Sequence, residues 1–292
     1  MASSPPNPKP LFHARSDSLP SRPHLFRSQL EEHLCRLRAT DASSSSSSSI
    51  CNQLSCLRDL YDSVDSFLQL GQTQRALAKE FSGKQFDKVL DGSLRRLDVS
   101  SITKDVLSRT KEQAQELQSI FRRRRGDECS FRNEVNVYLT SRKEAKNVTL
   151  KSLRDIKSKC RFSPSDHENM GMVSMLREID EVSLLVFESL LSYVSGANAQ
   201  SKTSSWSSVS RFMHSKRIAC NEEANDNNEF EKADSTLSTL IKTRKSSKVS
   251  PVNAQNALEK LESSIQDLEE RLDCIIRCLI KTRVSLLNIL NH

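Results

Sequence analysis

Along the chain, apolar residues recur every three or four positions in stretches separated by polar runs, the spacing that places them on one face of an α-helix. Phe26, Leu30, Leu34 and Leu37 make the first stripe, and the polyserine run Ser43 to Ser49 follows as a flexible linker. From Ile50 the pattern resumes through Leu54, Leu57, Tyr61, Val64 and Leu68 and stops at Gly71. Two shorter apolar pieces come next, Leu77 to Phe81 and Phe86 to Leu97. Asp98 can then cap a longer helix carrying Ile102, Val106, Leu117, Ile120 and Phe121, which Gly126 ends. A further helix, Asp127 to Lys159, carries Phe131, Val135, Tyr138, Val148 and Ile156 on a basic background.

Ser165-Asp166-His167-Glu168 reads as a capping box, in which the serine and glutamate reciprocally satisfy free N–H groups at a helix start. The helix behind it runs through Leu176, Ile179, Leu184, Val186, Leu190 and Val194 and is apolar around most of its circumference, which places it at the centre of a bundle. Gly196 ends it, and a long polar connection over 197–250 holds one short helix near Leu237 to Ile241, with Trp206 pinning the loop. Ser250-Pro251 opens the last helix. Its seam is the clearest pattern in the chain: Leu258, Leu261, Ile265, Leu268, Leu272, Ile275, Leu279, Leu286 and Ile289, interrupted only by Thr282. Ile276, Ile280, Leu287 and Leu290 widen the apolar face near its end, which favours burial among several helices over a two-stranded homodimer; the oligomeric state stays open.

Composition agrees with this pattern. The chain has 292 residues, only 5% of them aromatic, with six glycines and eight prolines. Six of those prolines fall within the first 23 residues, and no glycine follows Gly196. Low aromatic and glycine content disfavours sandwiches and barrels, and 48 serines beside 35 leucines suit helices joined by polar loops. The expected fold is therefore all-α: a bundle of long antiparallel helices over 25–292, with a disordered Pro/Ser/Arg-rich tail over 1–24.

The net charge of +7 is concentrated, because the stretch from Phe121 to Arg161 holds 13 Lys or Arg against 5 Asp or Glu. Such a stretch is drawn to an anionic membrane surface or to nucleic acid, and as a charge run it is most simply a solvated helix face. Arg122, Arg123, Arg124 and Arg125 form its densest patch; they also suit a helix C-terminus, or a nuclear-import signal. Nucleic acid is the weaker partner, since no aromatic stacking platform accompanies the arginines. No secretion signal and no 18-residue apolar span is visible, so a cytoplasmic, nuclear or peripherally membrane-associated protein is expected, with Val182 to Val194 as a shallow contact in the last case. Asn147-Val148-Thr149 matches a glycosylation sequon without such a signal.

Chemistry for catalysis is not patterned. No phosphate loop, nucleophile elbow or metalloprotease motif occurs, and the six histidines are scattered. Eight cysteines show no ligand spacing; Cys274 and Cys278 stand one helical turn apart without further donors, and reduced thiols are the expected state. A non-enzyme without cofactor or metal is expected. One motif carries a mechanism: Arg15-Ser16-Asp17-Ser18-Leu19-Pro20. Phosphorylation of Ser18 would create a site of the kind gripped by 14-3-3 proteins, with Arg15 and Pro20 as its flanking determinants.

His13 to His24, the polyserine run and Ile50-Cys51 resemble the start of a plant-specific family related to the Bypass proteins. Leu261 to Glu270 and Leu279 to His292 resemble its C-terminus. Asp17 stands where members often carry Asn, and Leu25 where a second proline is frequent. The resemblance implies an all-helical plant protein associated with root and shoot development, with no catalytic residues to transfer. Two functions are therefore carried forward: a helical regulatory or interaction protein, and a peripheral membrane or trafficking adaptor that binds anionic lipid through the basic helix.

Overall fold

A computed structural model describes residues 22–39, 46–80, 83–123, 131–159, 171–196, 228–242 and 251–291. They form eight helices and, among the described residues, no strand: α1 (Arg22–Ala39), α2 (Ser47–Leu68), α3 (Gly71–Glu80), α4 (Gly83–Arg123), α5 (Arg132–Lys159), α6 (Met172–Ser195), α7 (Glu229–Lys242) and α8 (Pro251–Asn291). Isolated helices are marginal in water, so the 41-residue α4 and α8 persist because each buries a continuous stripe.

All nine apolar seam residues of α8 are buried, from Leu258 to Ile289. They pack against α2 on one side and α4 on the other. Polar pairs across these contacts fix direction. Ser47 meets Ser264 at 2.9 Å and Asp65 meets Lys281 at 2.7 Å, so α2 and α8 run parallel. Lys104 meets Asp273 at 2.5 Å and Gln115 meets Glu262 at 2.6 Å, so α4 and α8 run antiparallel. α6 is the central helix: Leu184, Val186, Phe187, Leu190, Leu191 and Val194 are all buried. Gly196 ends it in the left-handed region at φ 66°, donating its N–H to the Ser192 and Tyr193 carbonyls. The same burial removes Val182 to Val194 from a bilayer contact, since Leu185 alone of its large apolar side chains is exposed.

Several sequence expectations are corrected. Ser46 to Ser49 are not linker. Ser46 is the N-cap of α2, accepting from the Ser49 N–H at 3.2 Å, and Ser47 starts the helix. The first helix begins at Arg22, inside the stretch assigned to the tail. Asp98 caps nothing; α4 runs unbroken through Gly92 and Asp98, joining two segments that the pattern separated. The short helix expected at Leu237 to Ile241 is the longer α7, whose Phe230, Ala233 and Leu237 are buried in the core. α6 starts at Met172 with Gly171 as N-cap, and its Val173 N–H donates to Glu80 of α3 at 3.3 Å. The capping box assigned to Ser165 to Glu168 lies outside the described residues, as does Trp206. Val148 is exposed rather than part of the α5 core stripe.

Candidate interaction surface

Two charged clusters lie inside the bundle. In the first, Arg96 on α4 is ion-paired to Asp180 on α6 and sits 5.9 Å from the centre of the Tyr61 ring. Tyr61 exchanges a 2.8 Å hydrogen bond with Ser183. Burial raises the Tyr61 phenol above its ordinary value, with Arg96 acting in the other direction. Tyr61, Arg96 and Asp180, with Lys88, Arg177 and Thr282, line a cavity of about 30 Å³. At roughly 10–15 Å³ per molecule it takes about two waters. Two buried polar atoms beside it, Arg96 Nε and Thr282 Oγ1, have no hydrogen-bond partner among the described residues, which suits bound water. Thr282 is the one polar interruption of the α8 seam, and that interruption was the visible signal for this pocket.

In the second cluster, Arg142 on α5 is 1% exposed. It donates to the Val194 carbonyl at 3.0 Å and to Asp234 of α7 at 3.3 Å, and its guanidinium lies 4.9 Å from the centre of the Phe230 ring. Lys146 reaches the other Asp234 oxygen at 2.9 Å. A cation at the C-terminal carbonyls of α6 is favourable with the helix dipole, and the pair clasps α7 to α5 and α6. The Tyr193 hydroxyl meets Ser264 at 3.0 Å and donates to Glu229, joining α6, α7 and α8. Among the described residues no three His, Cys, Asp or Glu side chains gather to hold a metal.

Of the basic patch, Arg122 and Arg123 are exposed at the end of α4. Arg122 contacts Glu259 at 3.5 Å and Arg123 bonds Ser119 at 2.8 Å, so both are helix-surface residues. Arg124 and Arg125 lie outside the described residues, as do Arg15, Ser18 and Pro20. Further along the basic stretch, Arg132, Lys143, Lys151 and Arg154 are exposed on α5.

The outer rim of the α4–α8 contact changes character along its length. One half is a polar ladder: Arg122 to Glu259, Gln115 to Glu262, Lys111 to Glu269 at 3.0 Å, and Lys104 to Asp273. Beyond Lys104 the ladder stops. Arg283 donates to the Leu90 carbonyl at 2.7 Å and to Ser93 at 2.6 Å, which keeps the same antiparallel register to the far end. That register sets Leu97 opposite Ile280 and Leu90 opposite Leu287. Here the rim is apolar and open: Leu94 is 47%, Ile280 49%, Val284 49% and Leu290 46% exposed. The side chains expected to widen a buried face of α8 are thus only partly covered; Ile276 and Leu287 are half-buried, Ile280 and Leu290 exposed.

The described residues thus form an all-α bundle with a small polar cavity lined from α2, α4, α6 and α8 and an apolar strip on its outside. A family model described as Protein BPS1 matches residues 53–289, and the chain belongs to that family. The match bears out the Bypass resemblance and takes in Leu261 to Glu270 and most of Leu279 to His292, while His13 to His24 and Ile50-Cys51 lie outside the matched stretch. Nothing among curated proteins or solved structures matches the chain. No helix among the described residues is long and apolar enough to cross a membrane.

Proposed function

We propose that this protein is a non-enzymatic helical interaction protein in plant development, acting as a scaffold in root and shoot signalling. The observation that carries the reading is the open apolar strip of Leu94, Ile280 and Val284 on the α4–α8 rim. In a bundle whose seam is otherwise buried, apolar side chains grouped on one rim mark a docking face for a partner helix. The developmental setting comes from BPS1 family membership. The test is rescue: in a plant lacking the protein, a stably folded Leu94→Ser/Ile280→Ser/Val284→Ser chain should fail to restore root and shoot growth. Full rescue by that chain ends the reading.

The N-terminal motif adds a regulated handle to the same scaffold. Phosphorylated Ser18, with Arg15 before it and Pro20 after it, is the proposed 14-3-3 site. A Ser18 phosphopeptide should bind a 14-3-3 protein while its Ser18→Ala counterpart does not.

A second reading, an adaptor on anionic lipid, is favoured by one observation: Arg132, Lys143 and Arg154 share a flank of α5 with the exposed Leu150. Flotation with anionic vesicles, lost as salt is raised, is the expected outcome of that reading; no flotation at low salt removes it.

A further inference from the structure

The open rim has a charged border of one sign. On α4, Asp87, Asp91, Leu94, Asp98, Ser101 and Asp105 recur at alternating spacings of four and three, so they form one row along the helix. All four aspartates are exposed. Leu94 stands within the row, and the antiparallel register set by Lys104–Asp273 and Arg283–Ser93 brings Ile280 and Val284 of α8 alongside this part of α4. The α8 border is different. Arg277 is exposed there, while Lys281 is committed to Asp65 at 2.7 Å. Cations neighbour the row on α4 itself: half-buried Arg95 is four residues after Asp91 and three before Asp98, and exposed Arg109 is four after Asp105, yet the exposed positions of the row carry only acids, Leu94 and Ser101.

A row of acids on a chain of net charge +7 is a local inversion of sign. Asp87 and Asp91, four residues apart, repel each other, and Asp98 and Asp105 extend the same negative edge along the helix. A cationic partner relieves that repulsion, whereas an acidic or lipid partner aggravates it. The apolar strip supplies buried area, and the acidic row supplies the choice of partner and its direction.

We propose that the α4–α8 rim is the docking site for an amphipathic partner helix whose apolar stripe is bordered by Lys or Arg on the edge facing α4. The proposal rests on the docking reading above and deepens it by naming the chemistry of the partner. The helix packs its i, i+3, i+4 and i+7 apolar positions on Leu94, Ile280 and Val284, and sets its basic edge along Asp87, Asp91, Asp98 and Asp105.

The test uses the full chain and two synthetic 18-residue helical peptides with the same leucine stripe, one with a lysine edge and one with a glutamate edge. Titration by fluorescence anisotropy reads binding, and circular dichroism checks each protein variant for native helicity. The lysine-edged peptide should bind at least tenfold more tightly than the glutamate-edged one, and its affinity should fall with rising salt. Asp91→Asn/Asp98→Asn should remove most of that preference while leaving the strip intact, and Leu94→Ser/Ile280→Ser should weaken both peptides together. Equal binding of the two peptides, still lost in Leu94→Ser/Ile280→Ser, overturns the basic-edged partner while the docking strip stands. Binding unaffected by Leu94→Ser/Ile280→Ser overturns the strip itself.

Discussion

The carboxylate of Asp180 on α6 lies where a β-carbon on Gly92 of α4 would reach it at 2.9 Å, and the missing side chain is what lets an acid stand against Arg96. Gly92 therefore has a packing reason to sit inside a 41-residue helix. At an ordinary helix position Gly→Ala gains about 1 kcal/mol. Gly92→Ala should instead lower stability, because the carboxylate must retreat from its buried cation. Urea unfolding decides the sign, and a higher midpoint for Gly92→Ala would show that the Arg96–Asp180 contact yields without cost.

Arg142 anchors three helices at once. Arg142→Met removes the cation that holds Asp234 and the Val194 carbonyl, leaving a nearly buried acid with Lys146 as its remaining ion-pair partner. Breaking a buried pair costs about 3–5 kcal/mol. Arg142→Met/Asp234→Leu should recover part of that loss, since the stranded charge is gone as well. Chemical denaturation of the single and double variants measures both terms. Hydrogen exchange should report the loss first in α7.

Alkaline pH should unfold the protein through its tyrosines. Burial is the first cause that raises the phenols of Tyr61, Tyr138 and Tyr193, and for Tyr193 the hydrogen bond to Glu229 adds to it. An unfolded tyrosine ionises at about pH 10. The folded values are higher, so the stability they contribute is whole below that pH and is lost progressively above it. Unfolding midpoints measured from pH 8 to pH 11 should be flat and then fall, and Tyr138→Phe should soften the fall.

Cys278 should be a slow nucleophile. Burial, then the neighbouring Asp62, pushes its thiol from 9.0 up to about 11. At pH 8 that shift leaves about a hundredfold fewer thiolates than the ordinary value would. Iodoacetamide labelling followed by peptide mapping should find exposed Cys35 modified well before Cys278, with Cys278 catching up only as the pH approaches 11.

Ser46 is a cap within a run that looks like a spacer. Ser46→Ala removes the acceptor for the Ser49 N–H and should cost about 1 kcal/mol, while Ser48→Ala, exposed two residues on, should cost little. A thermal melt that ranks the two equally would return Ser46 to the linker.

The helices were legible because an amphipathic period is a local property. Leu54, Leu57, Tyr61 and Val64 on α2, and the nine seam residues of α8, are buried as their spacing requires. Gly196 and Pro251 fall at the ends that their backbone chemistry dictates. Boundaries failed where the local signal was ambiguous: serines that favour loops form a capped first turn of α2, and Asp98, a residue that can cap a helix, stands inside the unbroken α4.

What the sequence determined by itself is thus the class of fold, the identity of the core stripes and the resemblance of both ends to one family. Tertiary structure alone decided which partners those stripes meet. Arg96 and Asp180 are 84 residues apart and Arg142 and Asp234 are 92 apart, so no local spacing announces either pair. The open strip is of the same kind. Periodicity puts Ile275 in the seam and Ile280 beside it, but only the register and crossing of α4 against α8 decide that Ile280 is left open. Periodicity places a side chain on a face; whether that face is covered depends on a second helix, whose position is settled by the packing of the whole bundle.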